Sequence, residues 1–147
     1  MSDRITNANT ATYETGESQR DEAPWRFLDL SGEHLGVRIE ETPPAGTTSY
    51  HHYHTQEEEH VLVLGGTATL HLGDDAIVLN EGDHVWFPAG EEVAHHIENS
   101  SSEPFRFLVF GERKTDDVVF YPEGPVVMVK SSQGKQLYTY KKRVTED

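Results

Sequence analysis

The sequence predicts an all-β sandwich or barrel, and two observations support this fold class. First, from Trp25 onward the chain is a succession of short segments rich in Val, Ile, Leu, Phe, Thr and Tyr, separated by Gly, Pro, Asn or Asp. Second, no longer window carries the apolar stripe of an amphipathic helix. Many short strands at close spacing are typical of sandwiches and barrels.

The predicted strands follow one another closely along the chain. "WRFLDL" and "LGVRIEE" come first, and "PPAG" at 43–46 ends the second of them. The later strands are, in order, "HVLVLGG", "TATLHL", "AIVL", "HVWFP", "VAHHIEN", "FRFLVFG" and "DVVFYP". The "GDD" at 73–75 separates "TATLHL" from "AIVL" and predicts a hairpin at this point.

The chain is predicted to form one folded domain with polar ends. Its 147 residues are enough for one domain with its own core and too few for two. Residues 1–24 have almost nothing to bury and are predicted to be a flexible N-terminal arm, which could order against a partner subunit. The domain is expected over 25–130, and 131–147 are expected to be a C-terminal extension and mobile tail.

Composition excludes several classes of function. The formal net charge of −14, from 26 acidic and 12 basic side chains, argues against binding to nucleic acid or to an anionic membrane surface. The absence of cysteine excludes disulfides, thiolate metal sites and cysteine nucleophiles. No apolar run approaches the ~20 residues of a membrane helix, and no apolar signal segment opens the chain. We therefore expect a cytoplasmic protein.

The histidines of "YHHYHTQEEEH" and "VAHHIEN" are sorted by strand alternation. Tyr50, His52 and His54 share one face of the first segment. In the second segment His95 shares the face of the aliphatic residues, so it is expected to point inward and His96 outward. Imidazoles with one carboxylate suit a divalent ion such as Zn, Fe, Mn, Ni or Cu. The spacing alone does not choose among Glu57, Glu58 and Glu59.

These segments resemble the two motifs of the cupin superfamily. The first motif, G-x5-H-x-H-x(3,4)-E-x6-G, is matched throughout by Gly46, His52, His54, Glu59 and Gly66. The second, G-x5-P-x-G-x2-H-x3-N, is matched by Gly82, Pro88, Gly90, His95 and Asn99, except that four residues instead of two precede the histidine. Fifteen residues separate the two motifs, as in compact microbial cupins.

The resemblance implies a double-stranded β-helix, or jelly-roll barrel, over the 25–130 domain. It implies that His52, His54, Glu59 and His95 hold one divalent metal ion, with Zn, Fe, Mn or Ni as the candidates. Glu58 also satisfies the shorter form of the first motif, but it breaks the six-residue gap to Gly66. Because cupins commonly bury one sheet against its copy, the resemblance also implies a homodimer, with apolar strands such as "FRFLVF" at the interface.

The function implied is that of a metal-dependent enzyme acting on a small oxygenated metabolite, sugar-like or a hydroxy or keto acid. The insertion in the second motif and "GERKTDDVVFYPE" are similar to a group of small bacterial cupins often described as sugar-phosphate isomerases. Isomerase-like carbonyl chemistry needs a general acid or base beside the metal, and Tyr50 and His71 are the candidates. Two alternatives stay open: a non-catalytic small-molecule-binding or regulatory cupin, and an iron-dependent dioxygenase.

Cationic side chains constrain the substrate, because a phosphate group normally needs Arg, Lys or a helix N-terminus. Residues 46–99 contain no lysine or arginine. Only Arg38 and Arg106 could reach in from neighbouring strands, and alternation with Val37 and Ile39 predicts that Arg38 faces out. The other polar groups are interpreted as surface: Glu57 as part of a solvated acidic edge, and the histidines His51, His60, His84 and His96 as strand-surface or interface residues.

Overall fold

Strands, without helices, make up the regular structure of the residues that the computed structural model describes, which are 3–16 and 25–141. The thirteen strands are β1 (Glu14–Gly16), β2 (Trp25–Asp29), β3 (Leu35–Thr42), β4 (Tyr53–His54), β5 (Glu59–Gly65), β6 (Ala68–Leu72), β7 (Asp75–Leu79), β8 (His84–Phe87), β9 (His95–Glu98), β10 (Phe105–Glu112), β11 (Val118–Tyr121), β12 (Val126–Ser131) and β13 (Gly134–Thr139). The all-β prediction is confirmed. Within these described ranges no helix is long and apolar enough to cross a membrane.

The strands form three sheets whose order departs from the order of the chain. One sheet has the order β1-β2-β3-β10-β5-β8, a second β13-β12-β11-β4 and a third β7-β6-β9. All of the strand pairs are antiparallel. Because β10 lies between β3 and β5, the last part of the domain closes beside its beginning, and residues distant in sequence meet at the centre.

The hairpin predicted at "GDD" is the β6–β7 connection. Leu72 pairs with Asp75 across the turn, and Gly73, at the first position of the two-residue loop, has a φ of +57°. A positive φ at that position is typical of the II′ turn, in which glycine avoids a steric penalty.

The core is built from alternate residues of the central strands. Its buried members include Val61 and Val63 of β5, Leu70 of β6, and Phe105 and Phe107 of β10. Complete burial of an aliphatic or aromatic side chain contributes about 1.5–3 kcal/mol, so these positions hold the sheets together. The apolar strand "FRFLVF" therefore places two of its phenylalanines in the core, where they are not available to a partner subunit.

Gly66 occupies a position that only glycine fits. Its φ is +84°, and a Cβ added to it would lie 2.5 Å from the carbonyl oxygen of Pro104. Gly82 also has a positive φ, of +90°, but no neighbouring atom crowds it. Both motif glycines thus adopt a backbone conformation that other residues rarely take.

The ends of the chain contain regular structure beside the predicted domain. Residues 14–16, within the expected N-terminal arm, form the edge strand β1 against β2. The boundary expected after residue 130 falls inside the β12–β13 hairpin, whose register runs from Val126↔Thr139 to Ser131↔Gly134. The rest of the expected arm and tail lies partly outside the described residues, at 1–2, 17–24 and 142–147. The division into arm, domain and tail stays a prediction.

Candidate metal centre

A cavity of about 330 Å³ lies between the inner faces of the sheets. Apolar side chains form part of its wall, among them Phe87, Ile97 and Phe107. The ionisable groups on the wall include the four ligands expected from the sequence: His52, His54, Glu59 and His95. A mostly apolar enclosure with a few convergent polar groups is the usual form of a ligand site.

Backbone pairing brings His52 and His95 together from opposite ends of the motif region. The two residues form an isolated antiparallel bridge, with hydrogen bonds of 2.9 and 3.2 Å between their backbone groups. Their ring centroids are 4.6 Å apart, and the His54 ring lies 5.1 Å from that of His52. The inward orientation predicted for all three histidines places them on one cavity wall.

Hydrogen bonds set the tautomers of two of these rings. The Nδ1 of His52 lies 2.7 Å from the carbonyl oxygen of Tyr50, and the Nδ1 of His54 lies 2.7 Å from Oδ2 of Asp117. Both partners accept hydrogen bonds, so each Nδ1 is the protonated donor. In the neutral rings the Nε2 atoms therefore carry the lone pairs that a metal would need.

Glu59 is the glutamate whose carboxylate faces the Nε2 atoms of the histidines, whereas Glu57 lies 3.7 Å from Nδ1 of His54. Its Oε2 lies 3.4 Å from Nε2 of His54, and its Oε1 lies 3.7 Å from Nε2 of His95. Ligand atoms of His52, His54 and Glu59 all fall within 4.8 Å of one another, so this group could hold a metal ion. Glu58 instead accepts a hydrogen bond of 2.8 Å from Nε2 of His60 on the outside of the sheet.

The state of His95 shows that the group fits a metal. Its Nε2 is buried and has no hydrogen-bond partner among the residues that the structure describes. An unsatisfied buried nitrogen costs about 1–3 kcal/mol, and a bound ion would remove that cost. Imidazole nitrogens and a carboxylate are donors that a divalent transition metal takes, so this group could hold such an ion.

A buried ionic network contacts the His54 ring at its Nδ1 side. Asp117 is completely buried, and its Oδ1 accepts a hydrogen bond of 2.9 Å from the backbone of Gln56. Lys130 lies 2.6 Å from Glu57 and 3.5 Å from Asp117. Glu57 is only 7% exposed, so its interpretation as part of a solvated edge was wrong. Nothing in the sequence signalled this network, because its members come from β12 and two separate loops.

The network determines the charges at the centre in the metal-free protein. Burial by itself lowers the pKa of His54, but hydrogen bonds to Asp117 and Glu59 outweigh burial and raise it to about 9. Burial raises the pKa of Glu59, but the neighbouring His54 and His95 imidazoles hold it well below its usual range. Burial and the nearby His95 lower the pKa of His52 to about 4, so this ring is neutral at pH 7.

Metal affinity is therefore expected to depend on pH through His54. The ring is protonated below its pKa of about 9 and must lose a proton to bind a metal, so affinity should rise about tenfold per pH unit between pH 6 and 8 and level off above about pH 9. His52 does not contribute to the pH dependence of metal affinity in this range, because its pKa is already about 4. Calorimetry in buffers of different ionisation enthalpy should detect the released proton. A metal affinity that does not change between pH 6 and 8 would contradict the prediction.

The two predicted acid–base residues, Tyr50 and His71, each pack against another aromatic ring. Tyr50 is 46% exposed and packs edge-on against Tyr121, with 6.5 Å between ring centroids. Residues 49–52 are bends and an isolated bridge rather than a strand, so strand alternation does not determine the direction of the Tyr50 side chain. His71 on β6 stacks on His96, at 4.5 Å. Among the described residues that line the cavity, neither Tyr50 nor His71 is found.

Two residues of β3 line the cavity, although the sequence analysis did not name Glu40 and assigned Arg38 to the outer face. Glu40 lines the cavity with only 12% of its side chain exposed, and burial raises its pKa to about 7, against opposition from the adjacent Arg38. Arg38 also lines the cavity, so the prediction that it faces out was wrong. The reason is that Ile39 is buried as well: both faces of β3 are covered, so the apolar face is not the cavity face.

Known proteins share this architecture. The model of a family described as "Cupin domain" matches residues 38–111. A structure from Acidithiobacillus ferrooxidans ATCC 23270, named as a candidate sugar phosphate isomerase, has 27% sequence identity and a TM-score of 0.85, covering 98% of this chain and 97% of its own. None of the curated proteins is significantly similar in sequence.

Two further solved structures share the fold. A sugar phosphate isomerase of the cupin superfamily from Silicibacter pomeroyi DSS-3 has 25% identity and a TM-score of 0.75, covering 78% of this chain and 76% of its own. A predicted oxalate decarboxylase from Thermotoga maritima has 18% identity and a TM-score of 0.64, covering 75% and 99%, and is similar in fold alone. The expected jelly-roll fold is confirmed.

Proposed function

The chain belongs to the cupin domain family, and from this premise we propose that it is a metal-dependent enzyme acting on a small oxygenated metabolite by isomerase-like carbonyl chemistry. The observation that carries the proposal is the meeting, in one cavity, of the metal-ligand group and the buried carboxyl of Glu40. The two structural neighbours named for sugar phosphate isomerases support the same class of chemistry.

The ligand set of the proposed enzyme is His52, His54, Glu59 and His95, which would hold one divalent ion. Such an ion supplies polarisation of a carbonyl or hydroxyl oxygen. Asp117 keeps His54 in the correct tautomer by accepting a hydrogen bond from its protonated Nδ1, at 2.7 Å. The carbonyl of Tyr50 does the same for His52.

Glu40 is the proposed general acid and base. An isomerase must take a proton from one substrate atom and return one to another, and a carboxyl with a pKa near the working pH does both. Burial raises the pKa of Glu40 to about 7, so the carboxylate and the protonated acid are both populated at neutral pH. Apolar neighbours on the cavity wall, such as Phe107 and Val109, limit water around the transferred proton.

Arg38 is the proposed recognition group for an anionic part of the substrate. Its Nε is buried without a hydrogen-bond partner among the described residues, and its nearest acidic oxygen, on Glu40, is 3.6 Å away. The rings of Phe27 and Trp25 hold the guanidinium from the other side, at 4.1 and 5.2 Å. A phosphate or carboxylate on the substrate would satisfy this donor, which supports a sugar phosphate or a hydroxy or keto acid.

A non-catalytic binding cupin is the second candidate, and one observation favours it. Neither Tyr50 nor His71, the acid–base residues expected from the sequence, is among the described lining residues of the cavity. The enzyme proposal therefore depends on Glu40, and this residue decides between the two functions. The homodimer and the cytoplasmic location stay predictions.

The test is the Glu40→Gln variant in a proton-exchange assay. The metal-loaded protein is incubated with sugar phosphates and with hydroxy and keto acids in deuterated water, and exchange at carbon is followed by NMR. The variant is expected to lower kcat about 10²- to 10⁴-fold because the proton carrier is lost. The bound metal should be unchanged, since Glu40 is not a ligand.

Glu41→Gln is the matched control, because Glu41 lies on the same strand and pairs outside with Arg26 at 3.5 Å and Arg106 at 3.7 Å. It should keep wild-type exchange. Binding of these compounds without exchange would establish the binding cupin instead. Stoichiometric iron together with substrate-dependent oxygen uptake would establish the dioxygenase.

A further inference from the structure

A second group of imidazoles lies on the sheet face opposite to the cavity. On β9, His95 and Ile97 are buried, whereas the alternating His96 and Glu98 face the other side. The register pairs His71 of β6 directly with His96. The two sets of polar residues thus occupy the two faces of one strand, and the outer set has no role in the proposed reaction.

The distances within the outer group are short. The rings of His71 and His96 stack with 4.5 Å between centroids and an interplanar angle of 12°. The Nε2 of His71 lies 3.4 Å from Oε2 of Glu98. One ligand atom from each of these three residues falls within 4.8 Å of the others, the same criterion that the cavity group meets.

His51 adds a third imidazole from the loop before β4. Its Nδ1 lies 2.8 Å from Nδ1 of His96, and the two rings meet edge-on at 4.9 Å. A contact between these nitrogens uses the Nδ1 of His96 and not its Nε2. The hydrogen bond thereby orients the His96 ring, as the hydrogen-bond partners of metal-binding histidines commonly do.

We infer that His71, His96 and Glu98 form a second site for a divalent transition-metal ion, with His51 as the positioning residue. Two imidazoles and a carboxylate favour Zn²⁺, Cu²⁺ or Ni²⁺ over Mg²⁺ or Ca²⁺, which prefer oxygen ligands. The side chains of His71 and Glu98 are 33% and 44% exposed, so an ion can reach them from solvent. Three ligands in water bind more weakly than four in a cavity.

Bound metal at this site would link β6 to β9, the strand that carries His95. The two strands already pair from Thr69↔Glu98 to Leu72↔His95, and the ion would join side chains of both at the centre of that ladder. A ligand that binds only the folded state stabilises it. The melting temperature should therefore rise further when zinc is added beyond the first equivalent.

The test is a zinc titration of the full chain by calorimetry after removal of metal with a chelator. The wild-type protein is expected to bind one tight and one weaker equivalent of Zn²⁺. The variant His71→Gln with His96→Gln should lose the weaker equivalent and keep the tight one. The variant His52→Ala with His54→Ala should do the reverse, which separates this site from the cavity centre and from the proposed function.

His60→Gln with His84→Gln is the matched control, because these two histidines also contact each other on the surface, with 2.9 Å between Nδ1 and Nε2. It should keep both equivalents. His51→Gln should weaken the second equivalent about 10- to 100-fold without changing the count, as expected for a group that positions a ligand.

Glu98→Gln is a milder second variant, in case the double substitution disturbs the sheet, and it too should lose the weaker equivalent. Circular dichroism before titration checks that each variant is folded. A wild-type protein that binds a single equivalent of zinc would overturn the inference. Two equivalents in folded His71→Gln, His96→Gln protein would overturn it as well.

Discussion

Replacement of His52 and His54 together by alanine is expected to remove the tightly bound metal from the cavity while the fold survives. Two of the four nitrogen and oxygen ligands would be lost, and the remaining pair, Glu59 and His95, lie 3.7 Å apart without further support. The fold should persist because both histidines line the cavity rather than the apolar core, and Asp117 keeps its contacts to Gln56 and Lys130.

The measurement is elemental analysis of protein dialysed extensively against metal-free buffer, together with its circular dichroism spectrum. About one retained equivalent is expected in the wild type and none in the double variant. A double alanine variant at His60 and His84 is the control for removing two imidazoles from a neighbouring face, and it should retain the metal. Full retention in the His52, His54 variant would refute the cavity site.

Removal of the Asp117 carboxylate is expected to be the most destabilising single substitution near the centre. Asp117→Ala should lower the free energy of unfolding by about 3–5 kcal/mol, the usual cost of removing one partner from a buried ionic network. Asp117 is 0% exposed and contacts His54, Gln56 and Lys130, so all three would lose a partner. Metal affinity should fall about 10- to 100-fold at the same time, because His54 loses its orienting acceptor.

Urea denaturation and zinc titration measure the two effects separately. Asp116→Ala is the matched control, since the adjacent Asp116 is exposed, and it should change the free energy of unfolding by less than about 0.5 kcal/mol. Asp117→Asn keeps the side-chain volume and removes only the charge. Its free energy of unfolding should therefore lie between those of Asp117→Ala and Asp116→Ala. An Asp117→Ala protein as stable as the control would show that the network does not hold the centre together.

Much of the fold followed from local pattern. The hairpin at 73–75 and the positive φ of Gly66 and Gly82 depend on turn chemistry and backbone geometry within a few residues, which a sequence displays directly. His95 could be assigned to the inner face because it lies in a regular strand, where side chains alternate strictly. Tyr50 could not be assigned to a face, because residues 49–52 are irregular and side chains do not alternate regularly in a bend.

The class of fold, its family and the candidate ligands His52, His54, Glu59 and His95 could therefore be inferred before the structure was known. The histidines follow from strand alternation and from the residue types that divalent metals prefer, whereas the choice of Glu59 follows from the resemblance to the cupin motif. The same information could not reveal what surrounds the ligands, because β3, β10 and β12 reach the cavity from distant parts of the chain.

The packing of the sheets fixes the identity of those neighbours. It turned Arg38 and Glu40 toward the cavity, placed Asp117 and Lys130 behind His54, and gathered His71 and His96 on the opposite face. Each of these contacts joins strands or loops that the chain order keeps apart. The pKa of a group such as Glu40 depends on its burial and its neighbours, and these exist only once the sheets have packed.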